Sequence, residues 1–272
     1  MRDLDDDERG RDGSRQPGVR AREERIGRAL PRTSRRERVV LDGRDYSLRE
    51  SQVEVLETLG RFGPTHVGDL DAARHGDLDS LVRQGLVERT SVSEHARRNR
   101  EEVAALTAEG RRFMTRAQPE GRPYRSGFGR RRELAHDACF YRAYRDAAAR
   151  IEAAGGRVER VSLDSELKQA VYAKARDGER DLDPEELRQA RAEGLGLPVV
   201  DGHVQFPDLH ITYRDREGER QQMAVDVVTD SYKAHHIGAK TRAGFHLVHA
   251  PHNTKARGGM RDERQARDLF ER

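Results

Sequence analysis

The chain has 272 residues, of which 37% are charged and 34% hydrophobic, with a formal net charge of +3 and a mean hydropathy of −0.98. That length suits two ordinary domains with small cores, and apolar runs of only a few residues argue against a membrane span or the apolar core of a secretion signal. The one cysteine, Cys139, excludes an internal disulfide and a cysteine-built zinc cluster, so the expected location is the cytoplasm, with no membrane partner.

Residues 1 to 38 mix Arg, Asp, Glu, Gly and Pro with few apolar side chains, the composition of a disordered charged arm. At Val39-Val40-Leu41 a strand can start and Asp42-Gly43 turns it. Ser47 then stands as cap of a helix with Glu50 at the capping-box position and Val53, Leu56 and Leu59 on its apolar stripe. Gly63-Pro64 ends that helix, and Thr65 is the expected cap of a second, with Val67 and Leu70 facing inward. Asp77 is the expected cap of a third over Leu78 to Gln84, whose apolar side carries Leu78, Leu81 and Val82. Gly85 stops it. Leu86-Val87 begins a strand that Val103 to Leu106 can pair with, and a new helix follows Thr107.

Three short helices and a two-stranded hairpin describe a winged helix-turn-helix over residues 39 to 117, which makes DNA the expected partner. In that geometry Ser80, Arg83 and Gln84 of the third helix face base edges, while Arg97, Arg98 and Arg100 at the hairpin tip lie on phosphates. Glu88 to Arg132 holds twelve Arg against six Glu, a local excess of six positive charges that includes Arg130, Arg131 and Arg132 of an Arg-rich linker over residues 118 to 132. Domains of this kind also serve as protein-binding modules, and Asp77 and Asp79 would face the DNA backbone.

Glu133 to Ala154 has helical periodicity, with Leu134, Ala138, Tyr141, Ala148 and Ile151 on one face, and Gly155-Gly156 ends it. Arg157 to Leu163 alternates as a strand. Ser165 to Glu193 reads as helix broken at Asp183-Pro184. Then come Val199-Val200 with a turn at Gly202, a strand from Phe206 to Tyr213, a hairpin at Asp215 to Gly218, and a more apolar strand from Gln222 to Thr229. A helix containing Tyr232, Ile237 and Lys240 and a last strand, Phe245 to Val248, complete the order helix, strand, hairpin, helix, strand.

Two carboxylates at the start of one strand and within its neighbour project to one sheet edge, where they can share a divalent cation with phosphate oxygens. Pro207-Asp208 followed by Val225-Asp226-Val227 resembles the core of the PD-(D/E)xK nuclease fold. The resemblance implies that Asp208 and Asp226 hold Mg²⁺, with a lysine two residues later to help activate water. Val228 occupies that lysine position. Lys233 or Lys240 on the next helix is the candidate replacement, and Glu166, in competition with Glu159 and Asp164, is the candidate third metal ligand. Equally, Asp208 reads as a turn residue after Pro207, and Asp226 as a buried acid paired with an arginine or Lys233.

The chain as a whole, from about residue 45 to about 250, resembles the replication-relaxation proteins of plasmids and integrated elements. An N-terminal winged helix, the pair His136-Asp137, and the set Asp208, Asp226, Thr229 and Lys240 carry the resemblance. It implies DNA binding in replication or mobilisation of a mobile element, alone, as a homodimer or with a replication or mobilisation partner protein. The alternatives are an active Mg-dependent endonuclease and a winged helix transcriptional regulator. His246, His249 and His252 recur at intervals of three, but on a strand that spacing puts the first two on opposite faces, a poor zinc triad. No phosphate-binding loop or dinucleotide fingerprint is present. The expected class is α+β: the arm, the winged helix-turn-helix domain, the linker, a small nuclease-like α/β domain over residues 133 to 254, and a charged tail or helix over 255 to 272.

Overall fold

The computed structural model of the chain describes residues 30–31, 34–70, 75–93, 100–119, 123–175, 183–228 and 234–249. The fold is α+β. Among the described residues no helix is long and apolar enough to cross a membrane.

The first unit opens with an antiparallel hairpin of β1 (Glu37–Leu41) and β2 (Arg44–Leu48), turned by Asp42 and Gly43, both at positive φ. Helix α1 (Glu50–Phe62) follows, then the two-residue strand β3 (Thr65–His66), helix α2 (His75–Arg83), strands β4 (Val87–Ser93) and β5 (Arg100–Leu106), and helix α3 (Ala108–Ala117). The three-stranded sheet runs β3-β5-β4, all antiparallel. Leu56 and Leu59 of α1, Leu78 and Leu81 of α2, Leu106 of β5 and Phe113 and Met114 of α3 meet in one core, each no more than 1% exposed.

Four local expectations are corrected. Ser47 does not cap α1: it lies in β2, its N–H donating to Gln84 Oε1 (2.8 Å) and its carbonyl accepting from Gln84 Nε2 (3.2 Å), and the helix begins at Glu50. No second helix starts at Thr65. Thr65 and His66 pair with Ala104 and Val103 of β5, and only a single 3-10 turn, Val67–Asp69, follows. Burying these two residues against β5 outweighs starting a helix too short to offset its nucleation. Asp77 sits inside the first turn of α2, 1% exposed, accepting from Arg49 Nε (2.7 Å) and Ser51 Oγ (2.6 Å), so it ties α2 to the start of α1 and does not face outward. Val82, placed on the apolar side of α2 by its spacing, is 37% exposed.

The stretch read as arm and linker is partly docked. Leu30 packs against the first core and Glu37 and Arg38 already belong to β1, whereas residues 1–29 and 255–272 lie outside the described residues. Residues 123–132 form neither helix nor strand, yet Arg125 N–H donates to the Gly60 carbonyl (2.7 Å) and Gly127 N–H to that of Leu106 (2.8 Å). Tyr124 lies against Gly60 so closely that a Cβ there would stand 2.4 Å from its ring.

The second unit is built on a four-stranded sheet. The long helix expected from Glu133 is two pieces, α4 (Leu134–Asp137) and α5 (Phe140–Ala153). The break lets them serve different neighbours. Leu134 and Ala138 pack with Val92 and Val103 of the first unit, while Phe140, Ala143, Ala147 and Ile151 cover the sheet. β6 (Arg157–Leu163) is antiparallel to β9 (Leu209–Arg214), β9 is antiparallel to β10 (Arg220–Val228), and β10 is parallel to β11 (His246–His249) after helix α8 (Ala234–Arg242). Between β6 and β9 come α6 (Asp164–Val171), α7 (Pro184–Gly194) and a small hairpin, β7 (Val199–Val200) with β8 (His203–Val204). Alternation assigns the two sheet faces: Leu209, Ile211, Val225 and Val227 meet α5, whereas His210, Thr212, Gln222, Ala224 and Asp226 take the other side.

Candidate functional site

Asp208 immediately precedes β9 and Asp226 lies near the end of β10, next along the antiparallel register after Val225 and Leu209. The register brings them into mutual contact. Asp208 N–H donates to Asp226 Oδ1 (3.3 Å), and Val227 N–H donates to Asp208 Oδ2 (2.8 Å). Asp226 is fully buried, and the Asp208 side chain is 14% exposed.

Two cations from outside the sheet complete the group. Lys240, in the last turn of α8, donates from Nζ to Asp226 Oδ1 (3.0 Å) and to the Phe206 carbonyl. It thereby stands beside the acid that Val228 leaves without the motif lysine. Lys233, the other candidate, lies outside the described residues, as does Thr229. His136, on α4, places Nε2 3.3 Å from Asp208 Oδ2 and 3.1 Å from the Val227 carbonyl, with Nδ1 3.3 Å from Asp137 Oδ1. Burial of the ring acts to lower its pKa, but the Asp137 and Asp208 carboxylates outweigh it and push the imidazole up to about 10. His136 is therefore an imidazolium at neutral pH, with both ring N–H groups aimed at oxygen acceptors.

Glu166 has a backbone partner of its own. Its Oε2 accepts from the Leu163 N–H (2.9 Å) at the start of α6, the ordinary use of an acid at the third helical position. Among the described residues, no three or more His, Cys, Asp and Glu side chains are arranged to hold a metal ion. On the same sheet face as Asp226 lies an open groove of about 420 Å³, floored by His210, Gln222 and Ala224 and walled by Leu197, Pro198 and Gly244. Burial lowers the pKa of His210, opposed by its hydrogen bond with Gln222 and assisted by Arg160.

The residues expected to meet DNA are treated unevenly by the fold. Arg83 ends α2 exposed, and Arg130, Arg131 and Arg132 are exposed before α4, Arg130 and Arg132 both reaching Glu133 Oε1 (3.4 and 3.3 Å). Ser80 is buried and Gln84 half-buried. Ser80 is 6% exposed and its Oγ accepts from Arg36 (3.3 Å), and Gln84 is used to hold β2. The β1-β2 hairpin covers that side of α2, and only a contact between segments far apart in sequence reveals it. Arg97 and Arg98 lie outside the described residues, and of Arg100 only the backbone, which opens β5, is described.

Sequence reasoning paired His136 with Asp137, but not with Asp208. The pairing with Asp208 depends on α4 crossing the end of β10. No family model, curated protein or solved structure matches the chain.

Proposed function

We propose that the chain is a DNA-binding protein acting in the replication or mobilisation of a plasmid or integrated element, with a winged helix-turn-helix unit followed by a nuclease-like unit of the PD-(D/E)xK type. The convergence of Asp208, Asp226, Lys240 and His136 on one sheet edge carries this reading. Those residues are among the ones the replication-relaxation resemblance singles out, gathered from α4, the residue before β9, β10 and α8. The element order helix, strand, hairpin, helix, strand agrees with it. The β4-β5 hairpin beside α2 supports the winged helix reading, although β3 and a 3-10 turn stand where a second helix is expected.

The donor set suits Mg²⁺, which is commonly held by one or two carboxylates with the remaining positions filled by water and phosphate oxygens. Asp208 and Asp226 would hold it, and it would supply charge stabilisation at a phosphate. The protein's own residues set the electrostatics. Lys240 and His136 neutralise the acid pair, so a phosphodiester approaching this edge meets cations as well as carboxylates. The same Lys240 position favours a second reading, an active Mg-dependent endonuclease, because the ammonium that Val228 lacks is restored next to Asp226.

Incubation with supercoiled DNA in Mg²⁺ or Mn²⁺ tests both. Retarded but uncut DNA is expected from a binding protein on a retired nuclease fold. Metal-dependent nicking abolished in Asp208→Ala and Asp226→Ala would establish the endonuclease, and neither retardation nor nicking would remove DNA from the function.

A further inference from the structure

Helix α6 ends at Val171, and the next residue, Tyr172, is 57% exposed. The Tyr172 ring lies 5.9 Å from that of Phe206, centroid to centroid, at an interplanar angle of 35°. Two cations flank the pair. The Arg188 guanidinium of α7 lies 5.8 Å from the centre of the Tyr172 ring, and the Lys168 ammonium of α6 lies 5.6 Å from that of Phe206. Arg188 also pairs with Glu185 (2.7 Å) and Lys168 with Asp164 (2.9 Å), each within its own helix. Exposed pairs of this kind are weak and exchange readily for a phosphate oxygen.

This surface is joined to the carboxylate site by the chain itself. The Phe206 carbonyl accepts from Lys240 Nζ, the group that pairs with Asp226, and Asp208 follows two residues later. An aromatic face offers stacking to a flat partner, and neighbouring cations offer attraction to a phosphate backbone. A base within a duplex has both faces covered by its neighbours, whereas an unpaired base has a face to give.

We propose that Tyr172 and Phe206, flanked by Lys168 and Arg188, form a stacking platform for an unpaired DNA strand leading to Asp208, Asp226 and Lys240. The proposal rests on the DNA-binding reading above and adds the form of DNA that the second unit takes.

Fluorescence anisotropy of the full chain at one salt concentration tests it, with three labelled probes: an oligo-dT strand, its duplex with oligo-dA, and an abasic strand of equal length. Tyr172→Ala is expected to weaken oligo-dT binding about tenfold, in line with the loss of one stacked base, while Tyr172→Phe retains it within about twofold. Duplex affinity stays unchanged in both variants. The abasic strand binds the native chain about as weakly as oligo-dT binds Tyr172→Ala, and Lys168→Gln with Arg188→Gln weakens both single strands. Unchanged oligo-dT affinity in Tyr172→Ala, or equal losses on strand and duplex, would overturn the platform. A native chain that binds duplex but not oligo-dT overturns it while the DNA-binding reading stands, and one that binds neither overturns both.

Discussion

Asp226 has no exposure to water, and Lys240 is one of the groups that make its charge tolerable there. Truncating one partner of a buried ion pair removes attraction while the desolvation of the other remains. Lys240→Met is therefore expected to lower unfolding free energy by about 3 kcal/mol, read as a shift of the urea midpoint, and an unchanged midpoint would deny the contact its energetic role. His136 and His210 pull in opposite directions with pH. His136 has a folded pKa raised to about 10, so its contribution is complete below its unfolded value near 6.5 and is lost as pH rises towards 10. His210 is lowered, so its contribution is present above that value and is lost as pH falls below it. Comparing thermal midpoints between pH 7 and 10, the native chain should lose more stability than His136→Gln. Parallel slopes would contradict this. At this scale the sequence revealed the acids and both candidate lysines, since residue type and strand position suffice for them. It did not distinguish Lys233 from Lys240, nor foresee His136 at Asp208, because both depend on where helices cross the sheet.

Where α3 begins, two local devices meet. The Thr107 hydroxyl accepts from Gly110 N–H (2.9 Å) and donates to the Gly85 carbonyl (2.7 Å), capping the helix and fastening it to the turn after α2. Thr107→Ala should cost about 1 kcal/mol. Gly110→Ala should cost more, about 1 to 3 kcal/mol, because a Cβ there would sit 2.0 Å from the Leu86 carbonyl oxygen, which backbone alone holds in place. Urea melts of the two variants check the order, and the reverse ranking would refute the close approach. Elements with a strong internal signal were legible. The apolar residues of Arg157 to Leu163 mark β6, although its register with β9 shifts between Val158 and Arg160, and Thr107 marks the start of α3. Thr65-His66 misled because strand pairing with β5 decides its conformation, and Ser80 and Gln84 misled because the hairpin that covers them is invisible to helical periodicity.

The two units share more than a chain crossing. Phe62, at the end of α1, is 3% exposed among the rings of Tyr141 and Tyr144 on α5, with centroids 5.3 and 4.9 Å away. Arg142 on the same helix donates to Asp69 (2.7 Å), and Arg145 donates to the Asp69 carbonyl (2.6 Å). Phe62→Ala is expected to cost about 3 to 5 kcal/mol, and the native chain should unfold in one urea transition seen alike by circular dichroism and by tyrosine fluorescence. Two separated transitions would show the seam to be weak. Composition and Arg-rich segments suggested two domains on a loose tether, since nothing local reports that α5 packs on α1. The divided helix at Ala138 has a mechanical meaning. α4 is a short bridge, seated through Leu134 and Ala138 on the β4-β5 hairpin and holding His136 against Asp208 and the Val227 carbonyl. The place of that imidazolium beside Asp208 is thereby set by a hairpin of the other unit, so the charge balance of the acid pair is held by the two units together.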